Sequence, residues 1–125
     1  MGGTTKSILM EENIKQLEIV EKYEEFVNYI YPICVNIPKG GHVTLRNKMT
    51  ECIFNQIELF IQAGKSNQIS KLYLADAGLT MLRFYLRFMV HPNRKLISNN
   101  QHKVATLHLC EVEDMTKVWM RTLKS

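Results

Sequence analysis

A chain of 125 residues, 46% apolar and 22% charged, is the size of one domain and should bury roughly two thirds of its unfolded surface, which argues against disorder. Cys34, Cys52 and Cys110 are odd in number and widely spaced, which argues against a disulfide framework and for a reducing cytoplasm; no apolar run reaches the ~18 residues of a membrane span, and no signal peptide opens the chain. The net charge of +4 is uneven: residues 1–60 carry six Lys/Arg against eight Glu, while residues 61–125 carry ten Lys/Arg against four Asp/Glu, so a polyanionic partner such as nucleic acid is a candidate for the second half.

Residues 1–7, MGGTTKS, read as a disordered lead-in or a remnant of expression, and residues 8–125 as one domain. A first helix is expected from about Ile8 to Val35, with Met10, Ile14, Leu17, Tyr23, Phe26, Ile30 and Cys34 at helical spacing. Pro32 lies inside it and removes one backbone donor, which should kink or locally open the helix. Pro38-Lys39-Gly40-Gly41 makes a turn. A second helix follows from about Val43 to Ala63, with Lys48, Glu51, Asn55, Glu58 and Gln62 as its single solvated stripe, so its apolar arc is wide.

Ser66 or Asn67 is the expected N-cap of a third helix ending at His91-Pro92-Asn93. This helix is the most informative element. Its polar residues Asp76, Thr80, Arg83 and Arg87 fall in one line at steps of four, three and four, and nearly everything else on it is apolar. An apolar surface well beyond the usual ~100° arc requires cover on both sides, one from the protomer's own core and the other from a second copy or a partner. Ala75, Ala77 and Gly78 suggest close approach by another helix. Ser98-x-x-Gln101 has the form of a capping box and opens a fourth helix to about Leu123, whose Ala105, Leu109, Val112, Thr116, Trp119 and Leu123 form a bundle seam. Four helices with short connections imply an all-α, up-down-up-down antiparallel four-helix bundle.

No motif for catalysis emerges. Gly64-Lys65-Ser66 resembles the end of a nucleotide-binding loop, but the first glycine that G-x-x-x-x-G-K-[ST] requires is Leu59, and the preceding element is a helix. The start of the third helix, with Lys65, could instead hold a phosphate of a polymer. His42, His91, His102 and His108 make no i, i+4 pair and no cysteine lies at ligand spacing, so neither a metal nor a cofactor is expected. His108 reads as a packed helix residue, and Asp76 as a structural partner for a backbone amide or an arginine. Arg83 and Arg87 have three open readings: snorkelling from a core helix, ion pairs between subunits, or phosphate contact. Arg94, Lys95 and Arg121, with Lys103, Lys117 and Lys124, extend positive charge over the neighbouring surface.

Several segments resemble one known family. They are Glu18-Ile19-Val20-Glu21-Lys22-Tyr23-Glu24, Tyr29-Ile30-Tyr31-Pro32-Ile33, the run from Gln56 to Gln68 (QIELFIQAGKSNQ), the run from Ser70 to Leu79 (SKLYLADAGL), and Leu82-Arg83-Phe84-Tyr85-Leu86-Arg87-Phe88. Together they resemble the accessory variability determinant (Avd) proteins of diversity-generating retroelements across the first three helices, while the fourth matches in pattern only. The resemblance implies a four-helix protomer in a pentameric, barrel-like ring with a cationic surface. It also implies association with the retroelement's reverse transcriptase and with template RNA, DNA being a secondary candidate, in support of error-prone cDNA synthesis. No catalysis by the chain itself is implied. The four-helix proteins encoded in ribosomal RNA intervening sequences share the architecture and offer the alternative of a structural oligomer that binds no nucleic acid.

By position, the resemblance points to Lys65, Lys71, Arg83 and Arg87 as nucleic-acid contacts, joined by Arg94, Lys95 and Arg121. The oligomer contact is expected to use Leu72, Tyr73, Asp76, Leu79, Arg83 and Leu86 of the third helix.

Overall fold

Helical periodicity carries through to four α-helices in the computed structural model: α1 (Gly2–Val35), α2 (Val43–Ser66), α3 (Ile69–Val90) and α4 (Asn99–Lys124). The structure describes the backbone of residues 2–38 and 40–124 and the side chains of residues 16, 18–38 and 40–124; among these residues there is no strand. The lead-in expected over residues 1–7 and the core positions expected at Met10, Ile14 and Leu17 lie outside the described side chains. No helix among the described residues is long and apolar enough to cross a membrane.

Each helix packs on two neighbours, α1 and α3 both meeting α2 and α4, while among the described residues the backbones of the diagonal pairs stay farther apart. Neighbours run antiparallel. Tyr23 packs edge-on against Phe60 while Cys34 reaches Met49, so α1 ascends as α2 descends. Gln56 meets Ala75 and Cys52 meets Gly78 between α2 and α3; Lys124 lies over Tyr73 and Arg83 reaches Glu113 between α3 and α4. The up-down-up-down order follows from connections too short to carry a helix back to its starting end.

The core is one seam per helix, spaced three and four residues apart. Ile19, Tyr23, Phe26, Ile30 and Cys34 of α1 face Leu72, Ala75, Leu79, Leu82, Leu86 and Met89 of α3 across the bundle axis, all buried. The α4 seam is buried at Ala105, Leu109, Val112, Thr116 and Trp119 and only partly at Leu123. Full burial of a side chain the size of Phe26, Phe60 or Leu82 stabilises by about 2 kcal/mol relative to exposure, and this apolar transfer drives the association of the helices.

Two seam positions break the apolar rule: Thr116 on α4, whose hydroxyl donates to the Val112 carbonyl at 2.8 Å, and Gln56 on α2. Gln56 is 1% exposed and donates its Nε2 hydrogen to the Ala75 carbonyl at 2.7 Å. Gly78 makes room for it, since a Cβ there would stand 2.1 Å from Gln56 Oε1. The close approach expected from Ala75, Ala77 and Gly78 therefore exists on α2's side, whereas Ala77 faces outward. Gly64 repeats the arrangement: it lies in the last turn of α2, where a Cβ would stand 2.0 Å from the Gln16 Cδ. That glycine serves a helix contact rather than a phosphate loop.

Helix ends differ partly from expectation. Ser98 and Gln101 form the reciprocal capping box, with Ser98 N–H donating to Gln101 Oε1 at 2.9 Å and Gln101 N–H to Ser98 Oγ at 3.0 Å. Asn67, expected to start α3, instead ends α2: its φ of 54° is left-handed and its N–H donates to Ala63 O. Ser66 belongs to α2 as well, and α3 opens after Gln68 with no side-chain cap. Pro32 is exposed in the last turn of α1, which continues past it to Val35.

Candidate interface and cationic surface

The seam of α3 uses only the inward half of its apolar surface. On the opposite side Tyr73, Ala77, Met81, Phe84 and Phe88 follow at steps of four, four, three and four, forming one apolar stripe along the outside. Tyr73, Met81 and Phe84 are 44–47% exposed and Leu74 beside them 55%, which is unusual for large apolar side chains grouped on one helix. Phe84 packs on Tyr85 and Phe88, so the C-terminal half of this face carries an aromatic cluster.

The polar line of Asp76, Thr80, Arg83 and Arg87 runs beside this stripe, on the side toward α4. Arg83 is tied down within the protomer. Its Nε donates to Glu113 Oε1 at 2.5 Å and its second nitrogen to Cys110 Sγ at 2.9 Å, and the bond to Glu113 holds the guanidinium's proton more firmly than usual. The observed ion pair, within its own subunit and to another helix, lies outside the three readings of Arg83. Asp76 is half-buried, and no cation lies within ion-pair distance of it among the described residues.

The expected interface residues divide by helical phase. Leu72, Leu79 and Leu86 have no exposed surface, being committed to the protomer's own core, and cannot be the atoms a neighbour touches. Tyr73 is on the outer stripe. The correction follows from a helix that is apolar all round: its periodicity does not reveal which half faces inward. Met81, Phe84 and Phe88 hold the outward positions that those leucines were expected to fill.

The seven expected nucleic-acid contacts are not gathered in one place. Lys65, Lys71 and Arg121 lie at the end of the bundle where α2 and α4 finish and α3 begins, with Lys117 and Lys124 close by on α4. Arg87, Arg94 and Lys95 lie at the other end, about 24 Å away along α3 at 1.5 Å per residue. Aromatic rings of the outer stripe hold a cation at each end: the Lys124 ammonium is 5.5 Å from the Tyr73 ring and the Arg94 guanidinium 3.7 Å from the Phe88 ring. Apart from Arg83, none of the seven makes an ion pair among the described residues, which leaves six cations exposed or half-exposed and available. His108 packs against Tyr29 as a helix contact.

A second exposed apolar surface was not anticipated. Between α1 and α2, Tyr31, Val35, Val43, Phe54 and Ile61 are each 39–48% exposed. Tyr31 stacks edge-on against Phe54, and a shallow cleft of about 510 Å³ opens beside the pair, with Arg46, Asn47, Thr50 and Glu51 on its walls. The wide apolar arc of α2 was its only trace in the sequence.

These features define a class: a four-helix-bundle subunit with apolar surface left over for association and unneutralised cations at both ends. Within that class the chain matches the bAvd-like family model over residues 17–123, and it belongs to that family. The match reaches all four helices, from the middle of α1 to the last turn of α4, and bears out the resemblance to Avd proteins read from the first three. No curated protein matches the chain.

Proposed function

We propose that this chain is a non-enzymatic accessory protein of a diversity-generating retroelement, self-associating into a pentameric ring that binds template RNA and the reverse transcriptase. The supporting observation is the outer face of α3, a chain of this family carrying a stripe of exposed Tyr73, Met81 and Phe84 and half-buried Phe88 with cations posted at either end. Ring assembly multiplies the six available cations of each protomer and arranges them at the two rims, where a phosphate backbone spanning several subunits gains from their combined charge. The protein's contribution to cDNA synthesis is to hold template and polymerase together, with DNA as a second polyanion for the same surface.

Titration of template RNA binding against salt tests this reading. Three phosphate contacts give a slope of about −2 in log affinity against log salt for single strands, hence a loss of about fifteenfold between ~50 and ~200 mM. The absence of RNA and polymerase binding at the lowest salt would remove the proposal.

A second reading, a structural oligomer without nucleic-acid contact, draws support from Arg83 being already neutralised by Glu113. It is distinguished by an intact oligomer that fails to retain RNA.

A further inference from the structure

The proposed self-association leaves open which surfaces meet, and two features of the protomer narrow the choice. The first is that the exposed apolar side chains fall mainly on two different sides: the outer stripe of α3, and the groove between α1 and α2. Neither resembles the other in shape. One is the convex back of a single helix, and the other is a cleft between two helices, with Tyr31 and Phe54 at its centre and the cavity beside them.

The second feature is the charge around each surface. On α1, Glu24 precedes Tyr31 and Val35 on the same helical line; on α2, Glu51 and Glu58 alternate with Phe54 and Ile61. All three carboxylates are exposed, and no cation pairs with them among the described residues. The stripe on α3 is bordered by Arg87 and capped by Arg94 and Lys124, with no ion pair to any of them among the described residues. The groove is therefore apolar with three carboxylates around it against one cation, Arg46 on its wall, and the stripe is apolar with three cations around it against one carboxylate, Asp76. The lengths agree too: Tyr73 to Phe88 spans about 22 Å and Val43 to Ile61 about 27 Å at the rise of a helix.

Resting on the self-association reading above, we propose that the outer stripe of α3 in one copy seats in the α1/α2 groove of the next. The occupant of the groove is a second copy of this chain, with Phe84 and Met81 against Tyr31 and Phe54, and the Arg87 edge beside the glutamates. Stripe-to-stripe pairing across a twofold axis would instead set two basic borders against each other and leave the groove uncovered. A contact between unlike surfaces is head-to-tail: each copy offers one stripe and one groove, and the chain of contacts ends only by closing into a ring.

The test is a complementation experiment read by native mass spectrometry. Wild-type protein is compared with Phe84→Glu, which spoils only the stripe, and Phe54→Glu, which spoils only the groove; both positions are about half exposed, and far-ultraviolet circular dichroism checks that the helices persist. Each variant alone should lose the wild-type assembly. Mixed in equal amounts, they retain one good stripe and one good groove between them, and should give a one-to-one heterodimer of twice the 14.6 kDa protomer and nothing larger. A wild-type assembly together with variants that form no heterodimer overturns the pairing. So does a Phe54→Glu protein that keeps the wild-type mass, or a Phe84→Glu protein that keeps it while losing the polymerase, which would assign the stripe to that partner. A wild-type protein that is itself a lone protomer removes the self-association reading instead. Should a glutamate at either site prevent folding, Met81→Glu and Val35→Glu repeat the design on the same two surfaces.

Discussion

Gln56 and Gly78 form a lock between α2 and α3 that sequence propensity alone would misjudge. Replacing a mid-helix glycine by alanine ordinarily stabilises by up to ~1 kcal/mol. At Gly78 the sign should reverse, because the new methyl would stand 2.1 Å from Gln56 Oε1 and displace the amide whose Nε2 bonds the Ala75 carbonyl. Gly78→Ala is expected to cost about 1–3 kcal/mol, seen as a lower urea midpoint, whereas Gly78→Ala with Gln56→Leu should recover part of the loss by removing both the clash and the buried amide. Burial also governs Cys34, whose thiol is pushed up to about 12 from a starting value of 9.0. The unfolded chain releases that proton earlier than the folded one, so stability is complete below about pH 9 and falls as pH rises toward 12. Tyr23, raised by the same desolvation, and Cys52 act in the same direction. Thermal melts from pH 7 to 11 should decline only in the alkaline half, and Cys34 should resist thiol reagents until the protein unfolds.

At the scale of elements, the four helices differ in how far their own residues define them. The N-terminus of α4 is determined locally by Ser98 and Gln101, whose two reciprocal bonds satisfy amides that the helix cannot. Ser98→Ala should cost about 1 kcal/mol, measured by chemical denaturation, and should not alter the assembly state, because Ser98 is part of neither apolar surface. The C-terminal half of α4 gathers Lys117, Arg121 and Lys124 where a helix's partial negative charge welcomes cations, with Glu111, Glu113 and Asp114 a turn or two earlier. In α3 the division of labour is between faces. Leu72, Leu79 and Leu86 hold the protomer together, and Tyr73, Met81, Phe84 and Phe88 lie on the opposite, outward side.

For the whole molecule, the consequence of antiparallel packing is a separation of charge into two clusters. Replacing Lys117, Arg121 and Lys124 together by alanine, or Arg87, Arg94 and Lys95 together, tests which end meets RNA. Loss of three phosphate contacts should reduce the salt slope by about 2, and the set that does not meet RNA should leave the slope unchanged while the assembly mass stays that of wild type. The cation positions needed to design these sets were legible in the sequence; their grouping was not. Lys71 and Arg87 lie on one helix yet serve opposite ends, while Arg121 and Lys71, fifty residues apart in the chain, share one end.

What residue order alone determined is whatever depends on neighbours within a few positions along the chain: four helices, the α4 seam, the Ser98–Gln101 cap, the solvated stripe of α2 and the family to which the segments point. Periodicity and capping are local, and local rules can be read without a fold. Only the tertiary structure decided which half of α3 faces inward, that Arg83 is engaged by Glu113, and that Tyr31 and Phe54 from different helices meet in one groove. Each of those outcomes depends on contacts between residues distant in sequence, and where a helix is apolar on every side, packing against its neighbours is what selects the buried one.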